Sequence, residues 1–330
     1  METLGAAVTI FVVSALFVIL AGMGLARFGD ELAEKTGWGK LWVGTLLVGI
    51  ATSLPEVTVN VSAVWLEKSP GLALGNVFGA NMINIFVLGA AALAFGIGKL
   101  FGNQGNDTRL LILGGIGLVG LALAFGVVGD LKLGPTSLGG IVIFAGYLLG
   151  MRTVYRAGRT DMDVEDIPSV RGSARNAWIG FGISVVIVII AGRFLASSAD
   201  AIAEASGISA SFIGVLLVSI VTTLPEGSVT MAACFRKSYG IAMGNVYGSC
   251  AFNVSIISIA DLFHDGPLTR AMEPAHFAAA IGAFLLMTMG FLAFRGSQGR
   301  AVTGPAKAIT YAIPAVYVVA LYIVYVLGQR

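Results

Sequence analysis

Residues 21–56, AGMGLARFGDELAEKTGWGKLWVGTLLVGIATSLPE, align without a gap to residues 191–226, AGRFLASSADAIAEASGISASFIGVLLVSIVTTLPE, and 17 of the 36 positions are identical. After a shift of one residue the match resumes, with KSPGLALGNVFGANMINI at 68–85 and KSYGIAMGNVYGSCAFNV at 237–254. Chance agreement between two random apolar segments would be far lower. The chain therefore contains an internal duplication, and both copies carry the same polar motifs inside apolar sequence.

The composition is that of a membrane protein. Of the 330 residues, 57% are hydrophobic and only 12% are charged, which is about half the charged fraction of a soluble domain. The two cysteines, Cys234 and Cys250, both lie in apolar segments, so we expect buried hydrophobic side chains rather than a disulfide framework. No basic residue precedes the first apolar run, so we expect a retained helix rather than a cleaved signal peptide.

A helix that crosses a bilayer needs about 20 mostly apolar residues. On that rule the sequence predicts an all-α polytopic membrane protein with ten transmembrane helices. They are expected at about 4–26, 40–66, 71–97, 108–128, 134–151, 177–198, 210–235, 240–260, 274–294 and 308–328.

The duplication divides these ten helices into two sets of five. Because five is odd, the second set enters the membrane from the opposite side, which is the inverted-topology repeat of secondary transporters. We expect a first repeat at 1–151 with its motif at 44–90, a cytoplasmic linker at 152–175, and a second repeat at 176–330 with its motif at 214–259. Such repeats place the binding site at their interface near the middle of the bilayer.

The placement of Lys and Arg predicts the orientation, because cytoplasmic loops are enriched in both. With both termini outside, fifteen of the 20 basic residues fall on the inner side. The other five are Lys68, Lys132, Arg193, Arg270 and Arg330. We therefore expect a multi-pass protein of the cell membrane with an internal linker. The basic residues Arg27, Lys35 and Lys40, expected in the loop after the first helix, are replaced in the second copy by Ser197, Ala205 and Ala210, as inversion predicts.

Each repeat places one glutamate, Glu56 or Glu226, deep within an apolar span and directly after a proline. A carboxylate at the bilayer centre costs at least about 2.5 kcal/mol even on insertion scales. No Lys or Arg is expected at that depth, so the remaining partners are protons or mobile cations. Ionisable residues inside a membrane are functional by default, and the pair marks a candidate cation site.

Further oxygen atoms are expected beside these glutamates. Thr52 lies four residues before Glu56 and so shares its helix face, while Pro55 and Pro225 disrupt backbone bonds one turn earlier. Freed carbonyls near 49–52 and 219–222 could then line a cavity. Carboxylate, hydroxyl, amide and carbonyl oxygens suit Ca²⁺, Na⁺ and other hard cations.

Several matching residues have a structural explanation. Small residues four apart, such as Gly75 with Gly79 and Gly244 with Gly248, favour close helix packing. Asn81 departs from the repeat, since its mate is Cys250, and we assign it to packing or capping. Asn76 and Asn245 could bond between helices. Asp30, Asp200, Glu34 and Glu204 are expected at solvated helix ends, and His264 and His276 in loops.

The duplicated (T/S)-(T/S)-L-P-E and G-N-V-x-G-x-x-x-x-N motifs resemble the two alpha-repeats of the Ca²⁺/cation antiporter superfamily, and most of all its prokaryotic sodium/calcium exchanger branch. The resemblance covers essentially the whole chain and implies alternating access, with helices 1 and 6 sliding across a core of helices 2, 3, 7 and 8. The ion ligands it implies are Thr52, Ser53, Glu56, the Gly49 carbonyl and Asn84 in the first repeat, and the Ser219 carbonyl, Thr222, Thr223, Glu226, Ser249 and Asn253 in the second.

Two positions depart from the family pattern. Ala80 stands where the family usually has Ser, and Asn253 stands where many sodium/calcium exchangers have Asp. The site then holds two fixed negative charges, which balance one Ca²⁺ or two Na⁺ but leave a third Na⁺ uncompensated in a low-dielectric site. Burial also disfavours the charged form of a carboxyl group. The leading hypothesis is exchange of Ca²⁺ for Na⁺, and the alternative is H⁺-coupled transport of Ca²⁺ or another divalent cation.

Two other classes of membrane protein share single features of this pattern. An intramembrane aspartyl protease also uses two buried carboxylates, but it needs two aspartates in dissimilar contexts rather than duplicated glutamates. A passive channel would show flux that does not depend on a counter-ion. We expect no enzyme activity, no cofactor other than the transported Ca²⁺, Na⁺ or H⁺, no nucleic-acid partner, and a monomeric transport unit in the lipid bilayer.

Overall fold

The computed structural model describes residues 4–36, 52–102, 104–158, 174–299 and 301–329. The first half contains helices α1 (Leu4–Thr36), α2 (Leu54–Trp65), α3 (Pro70–Phe95), α4 (Ile97–Phe101), α5 (Asn106–Val128) and α6 (Leu138–Gly158). The second contains α7 (Ala174–Ser206), α8 (Ala210–Ile213), a π-helical segment (Gly214–Val218), α9 (Ser219–Phe235), α10 (Tyr239–Asp261), a 3₁₀ turn (Leu268–Ala271), α11 (Pro274–Arg295) and α12 (Gly304–Gly328).

Nine helices in the described residues are long and apolar enough to cross a membrane, with α8, the π-helical segment and α9 forming one of them. They coincide with nine of the ten predicted spans. The remaining span, predicted at 40–66, is described only from residue 52 onward, where it contributes α2. The prediction of an all-helical polytopic membrane protein is confirmed.

The repeat-related helices α1 and α7 are both 33 residues long and pack along each other. At 1.5 Å per residue each is about 50 Å long, well beyond the hydrocarbon thickness of about 30 Å. They must therefore tilt or project from the bilayer. The predicted ends at residues 26 and 198 were too early, because both helices continue through polar residues. In α1, Arg27 and Glu31 form an i,i+4 ion pair at 3.3 Å along this extension.

The centre of the molecule is built from α3, α9 and α10. Helix α3 is buried over most of its length, whereas α1, α6, α7 and α12 expose large apolar side chains such as Leu20, Leu149, Ile190 and Val318. Exposed apolar faces are favourable where lipid surrounds the helix. The asparagine motifs on α3 and α10 and the glutamate motif on α9 thus lie on the innermost helices.

Glycines allow α3 to approach the second repeat closely. A β-carbon at Gly75 would lie 3.2 Å from Cα of Gly214, and one at Gly79 would lie 2.6 Å from Cα of Val215. The second distance is one that real β-carbons essentially never show, and a β-carbon at Gly75 would also collide with the Ser211 carbonyl oxygen. The predicted packing role of Gly75 and Gly79 is therefore confirmed. No described atom lies within 4 Å of a β-carbon built at Gly244 or Gly248.

A short antiparallel hairpin of Lys132–Leu133 and Thr136–Ser137 precedes α6. Two buried aspartates attach it to neighbouring helices. Asp130 accepts hydrogen bonds from the Gly139 amide at 2.8 Å and the Thr269 hydroxyl at 2.7 Å. Asp261 accepts from the Ser137 amide at 2.6 Å and the Leu268 amide at 2.7 Å. The hairpin was not predicted, because its strands contain only two residues each.

One further prediction needs correction. His276 is not in a loop: it lies in the first turn of α11, fully buried, with Nε2 3.0 Å from the Gly71 carbonyl oxygen and Nδ1 accepting the Glu273 amide. Helix α6 continues to Gly158, so the first residues of the predicted linker, 152–158, are helical. Residues 159–173 of the predicted linker lie outside the described residues.

Candidate cation-binding site

The two glutamates lie at the centre of the protein and are each 1% exposed. Glu56 is in the first turn of α2, where Pro55 supports the helix start, and a helix N-terminus favours a negative charge. Glu226 lies within α9, directly after Pro225. The two carboxyl groups are close enough to interact electrostatically. The structure therefore brings together the two residues that the sequence pairs as repeat mates.

Most of the carboxylate oxygens have no protein partner. In the part of the chain that the structure describes, Glu56 Oε2 and both carboxylate oxygens of Glu226 are buried without a hydrogen bond. The one ion pair among the described residues joins Arg27 and Glu31, so no described Lys or Arg neutralises either glutamate. A buried carboxylate is costly unless it is paired. These two glutamates therefore leave carboxylate oxygens available to a cation.

Hydroxyl groups from one repeat lie against the glutamate of the other. The Thr222 hydroxyl lies near the Glu56 carboxyl group, and the Ser53 hydroxyl lies near that of Glu226, but neither is hydrogen-bonded to Glu226 in the described residues. Thr52 and Thr223 are buried beside them, and no described residue bonds to Thr223 Oγ1. Thr52, Ser53, Thr222 and Thr223 are therefore each at most 1% exposed.

The predicted amide ligands lie on α3 and α10. Asn84 is 1% exposed, and neither end of its amide is bonded within the described residues. Asn253 is also 1% exposed; its Nδ2 donates to Oδ1 of Asn81 at 3.2 Å, and its own Oδ1 has no described partner. Ser249 lies one turn before Asn253 and is buried. Both amides thus offer an oxygen atom to the site.

Of the predicted backbone ligands, Gly49 lies outside the described residues. Ser219 is fully buried at the junction of the π-helical segment and α9. Its hydroxyl donates to the Val215 carbonyl one turn earlier. π-Bulges occur frequently at functional sites, and this one loosens the backbone one turn before the threonine pair.

A second layer of amides connects the site helices. The Thr222 hydroxyl donates to Oδ1 of Asn76 at 3.2 Å, and Asn76 Nδ2 donates to Oδ1 of Asn60 at 3.3 Å. In the other repeat, Asn245 Nδ2 lies 3.0 Å from the Glu226 carbonyl oxygen and 2.9 Å from the Thr230 hydroxyl. Asn76 and Asn245 are therefore bonded between helices.

Sequence reasoning did not place Asn60 and Asn81 in the site. Asn60 faces Thr230 in the repeat alignment, and Asn81 faces Cys250, so neither position appears duplicated. Asn81, assigned from the sequence to packing or capping, has its side chain bonded to Asn253. The sequence does carry one signal for Asn81: it is an amide inside a predicted membrane helix, three residues before the predicted ligand Asn84.

The acidic content of the site agrees with the charge count from the sequence. Over the described ranges, no three His, Cys, Asp or Glu side chains come together in a group that could hold a metal ion. The layer instead combines two carboxylates with neutral amide and hydroxyl oxygens. That donor set suits hard cations rather than Zn²⁺ or copper.

Comparison with known proteins identifies the family. The family model described as sodium/calcium exchanger protein matches residues 6–156 and 176–330. "Inner membrane protein YrbG" of Escherichia coli is 28% identical over 260 residues, covering 76% of this chain and 78% of that protein. "Sodium/calcium exchanger MaX1" of Methanosarcina acetivorans is 24% identical over 313 residues, covering 82% and 87%.

The fold matches that of a solved exchanger. A structure of the sodium-calcium exchanger NCX_Mj soaked with Na⁺ and Sr²⁺ superposes with a TM-score of 0.61 at 21% identity, covering 97% of this chain and 99% of that one. The family model covers almost the whole of both halves, including both glutamate motifs. The chain therefore belongs to the sodium/calcium exchanger protein family of cation antiporters.

Proposed function

We propose that this chain exchanges Ca²⁺ for Na⁺ across the cell membrane by alternating access. One observation carries the proposal. Six side-chain oxygens of the site are buried without a hydrogen-bond partner among the described residues. They are Glu56 Oε2, Asn84 Oδ1, Thr223 Oγ1, Glu226 Oε1, Glu226 Oε2 and Asn253 Oδ1. Ca²⁺ takes about 6–8 oxygen ligands, and Na⁺ uses the same hard donors.

The proposal includes an orientation and a transport unit. Both termini are on the outer side and the linker at 152–175 is cytoplasmic, as the excess of Lys and Arg on the inner side supports. The transport unit is one chain, because both glutamates and the hydroxyl groups near them come from a single copy. The two repeats of one chain together supply the described residues of the polar layer.

A proton-coupled exchanger of the same fold is the second candidate. The acidic content of the site favours it, because two glutamates could release two protons when one Ca²⁺ binds. Exchange of two protons for one Ca²⁺ needs no third carboxylate, and Asn253 supplies none. Na⁺ coupling remains the leading proposal, because the neutral hydroxyls and amides beside the glutamates are ligands that Na⁺ can use and protons do not need.

The deciding experiment uses purified protein in liposomes. Uptake of ⁴⁵Ca²⁺ is measured with an outward Na⁺ gradient at equal pH on both sides, and then with an outward proton gradient in the absence of Na⁺. We expect uptake with the Na⁺ gradient only. Full uptake with the proton gradient alone would replace the sodium proposal by the second candidate. Uptake without either counter-ion gradient would identify a passive channel, and Glu226→Gln liposomes control for leakage.

A further inference from the structure

Asn81 is an amide of the central layer whose side chain bonds directly to the predicted amide ligand Asn253. It lies on α3, is fully buried, and accepts the Nδ2 hydrogen of Asn253 on α10 at 3.2 Å. Its repeat mate Cys250 lies across from it, with Sγ 4.0 Å from the Asn81 carbonyl oxygen. Mates at equivalent positions therefore face each other, and only one of them carries an amide.

The contact with Asn81 matters because the two ends of the Asn253 carboxamide differ chemically. A carboxamide has one end that can bind a cation, the oxygen, and one end that repels it, the NH₂ group. A carboxylate has no such distinction, because both of its oxygens accept. A ligand of the amide type therefore needs a neighbour that engages its nitrogen, or it can present the wrong end to the ion.

Asn81 supplies that neighbour. Its Oδ1 takes the Nδ2 hydrogen of Asn253, and within the described residues Asn253 Oδ1 is left buried and unbonded. The same contact adds no charge to the site, so it leaves the balance of two carboxylates unchanged. Ala80, next to Asn81, offers no polar atom that could act instead.

We infer that Asn81 is a positioning residue that holds the Asn253 amide so that its oxygen, and not its nitrogen, faces the transported cation. This inference rests on the proposed cation site. It concerns the affinity of the site for the ion and is independent of whether Na⁺ or H⁺ is the counter-ion. The residue acts through Asn253 and is not itself assigned as a ligand.

The test is a double-mutant cycle read by Ca²⁺ binding to the detergent-purified protein in isothermal titration calorimetry. Asn81→Ala should weaken Ca²⁺ binding about tenfold, the effect of one lost hydrogen bond to a functional group. Cys250→Ala, the matched change at the repeat mate, should alter it less than about twofold. In the Asn253→Asp background, where either oxygen serves, Asn81→Ala should also have an effect below about twofold.

A packing role would predict a different result. If Asn81→Ala weakened binding equally in the native and Asn253→Asp backgrounds, or had no effect in the native one, the inference would be overturned. If Asn253→Asp fails to fold, Asn253→Ala takes its place. Because that variant has no amide to orient, adding Asn81→Ala must not weaken Ca²⁺ binding further. An undiminished effect of Asn81→Ala on Ca²⁺ binding would also overturn the inference. Absence of Ca²⁺ binding by the native protein would instead refute the proposed function.

Discussion

The number of carboxylates in the site predicts how exchange responds to membrane voltage. Two fixed negative charges are balanced equally by one Ca²⁺, two Na⁺ or two protons. A carrier that alternates between these loads moves no net charge. We therefore expect exchange by the native protein to be electroneutral, whichever of the two coupling ions it uses.

Electrogenic exchange would change Ca²⁺ accumulation by an amount large enough to measure. If three Na⁺ were exchanged for each Ca²⁺, one net charge would cross per cycle, and about 100 mV would contribute about 2.3 kcal/mol. Since about 1.36 kcal/mol is a factor of ten, the steady-state Ca²⁺ accumulation ratio would change about 50-fold. An electroneutral exchanger shows no change.

The assay compares ⁴⁵Ca²⁺ accumulation in liposomes clamped with K⁺ and valinomycin at zero and at about 100 mV, with the Na⁺ gradient held constant. We expect equal accumulation in the native protein. Asn253→Asp supplies a third carboxylate, and we expect voltage dependence to arise in that variant. A shift approaching 50-fold in the native protein would refute the charge count.

Three further predictions concern the site, the packing and the orientation. Glu56→Gln and Glu226→Gln should each abolish exchange while leaving the unfolding temperature within a few degrees of that of the native protein. The control Glu67→Gln, in the loop before α3, should retain exchange. Transport by either site variant would refute the assignment of the site. Gly79→Ala should destabilise the protein by about 1–3 kcal/mol, because its β-carbon would lie 2.9 Å from Ser219 Oγ, whereas Gly117→Ala, with no described atom within 4 Å, should be neutral in thermal unfolding. In a Cys-free background, a membrane-impermeant maleimide should label Asp265→Cys but not Ala301→Cys in intact cells, and the reverse pattern would invert the topology.

Much of the fold could be predicted because the duplication repeats every signal. Apolar length located nine described spans, and the paired glutamates located the centre of the protein. Helix ends were less predictable, since a hydropathy window detects only the apolar part of a helix. Helix α1 continues beyond residue 26 through the Arg27–Glu31 ion pair. Helix α7 continues to Ser206, although its equivalent positions are Ser197 and Ala201.

Most of the candidate site was predictable because the two copies agree. Glu56 with Glu226, and the threonine and serine pairs before them, are repeat mates, so the alignment identifies them without a structure. Asn81 has no amide mate, and its partner Asn253 lies 172 residues away on another helix. Spacing along one helix carries no information about such a contact. The tertiary arrangement of α3 against α10 was needed to find it.

The differences between the copies carry as much information as their likeness. The Pro225 ring lies against Gly22 on α1, yet the repeat mate Gly192 on α7 lies against Thr58, three residues beyond Pro55. Three residues correspond to about 4.5 Å along a helix. If the copies are inverted, as the sequence predicts, a change of access exchanges their environments, and we expect Gly192 to meet Pro55 and Gly22 to meet Ser228 in the opposite state. Glycine at both positions leaves room for each long helix to pass a proline ring, so the offset is expected of a sliding contact and not of a static one.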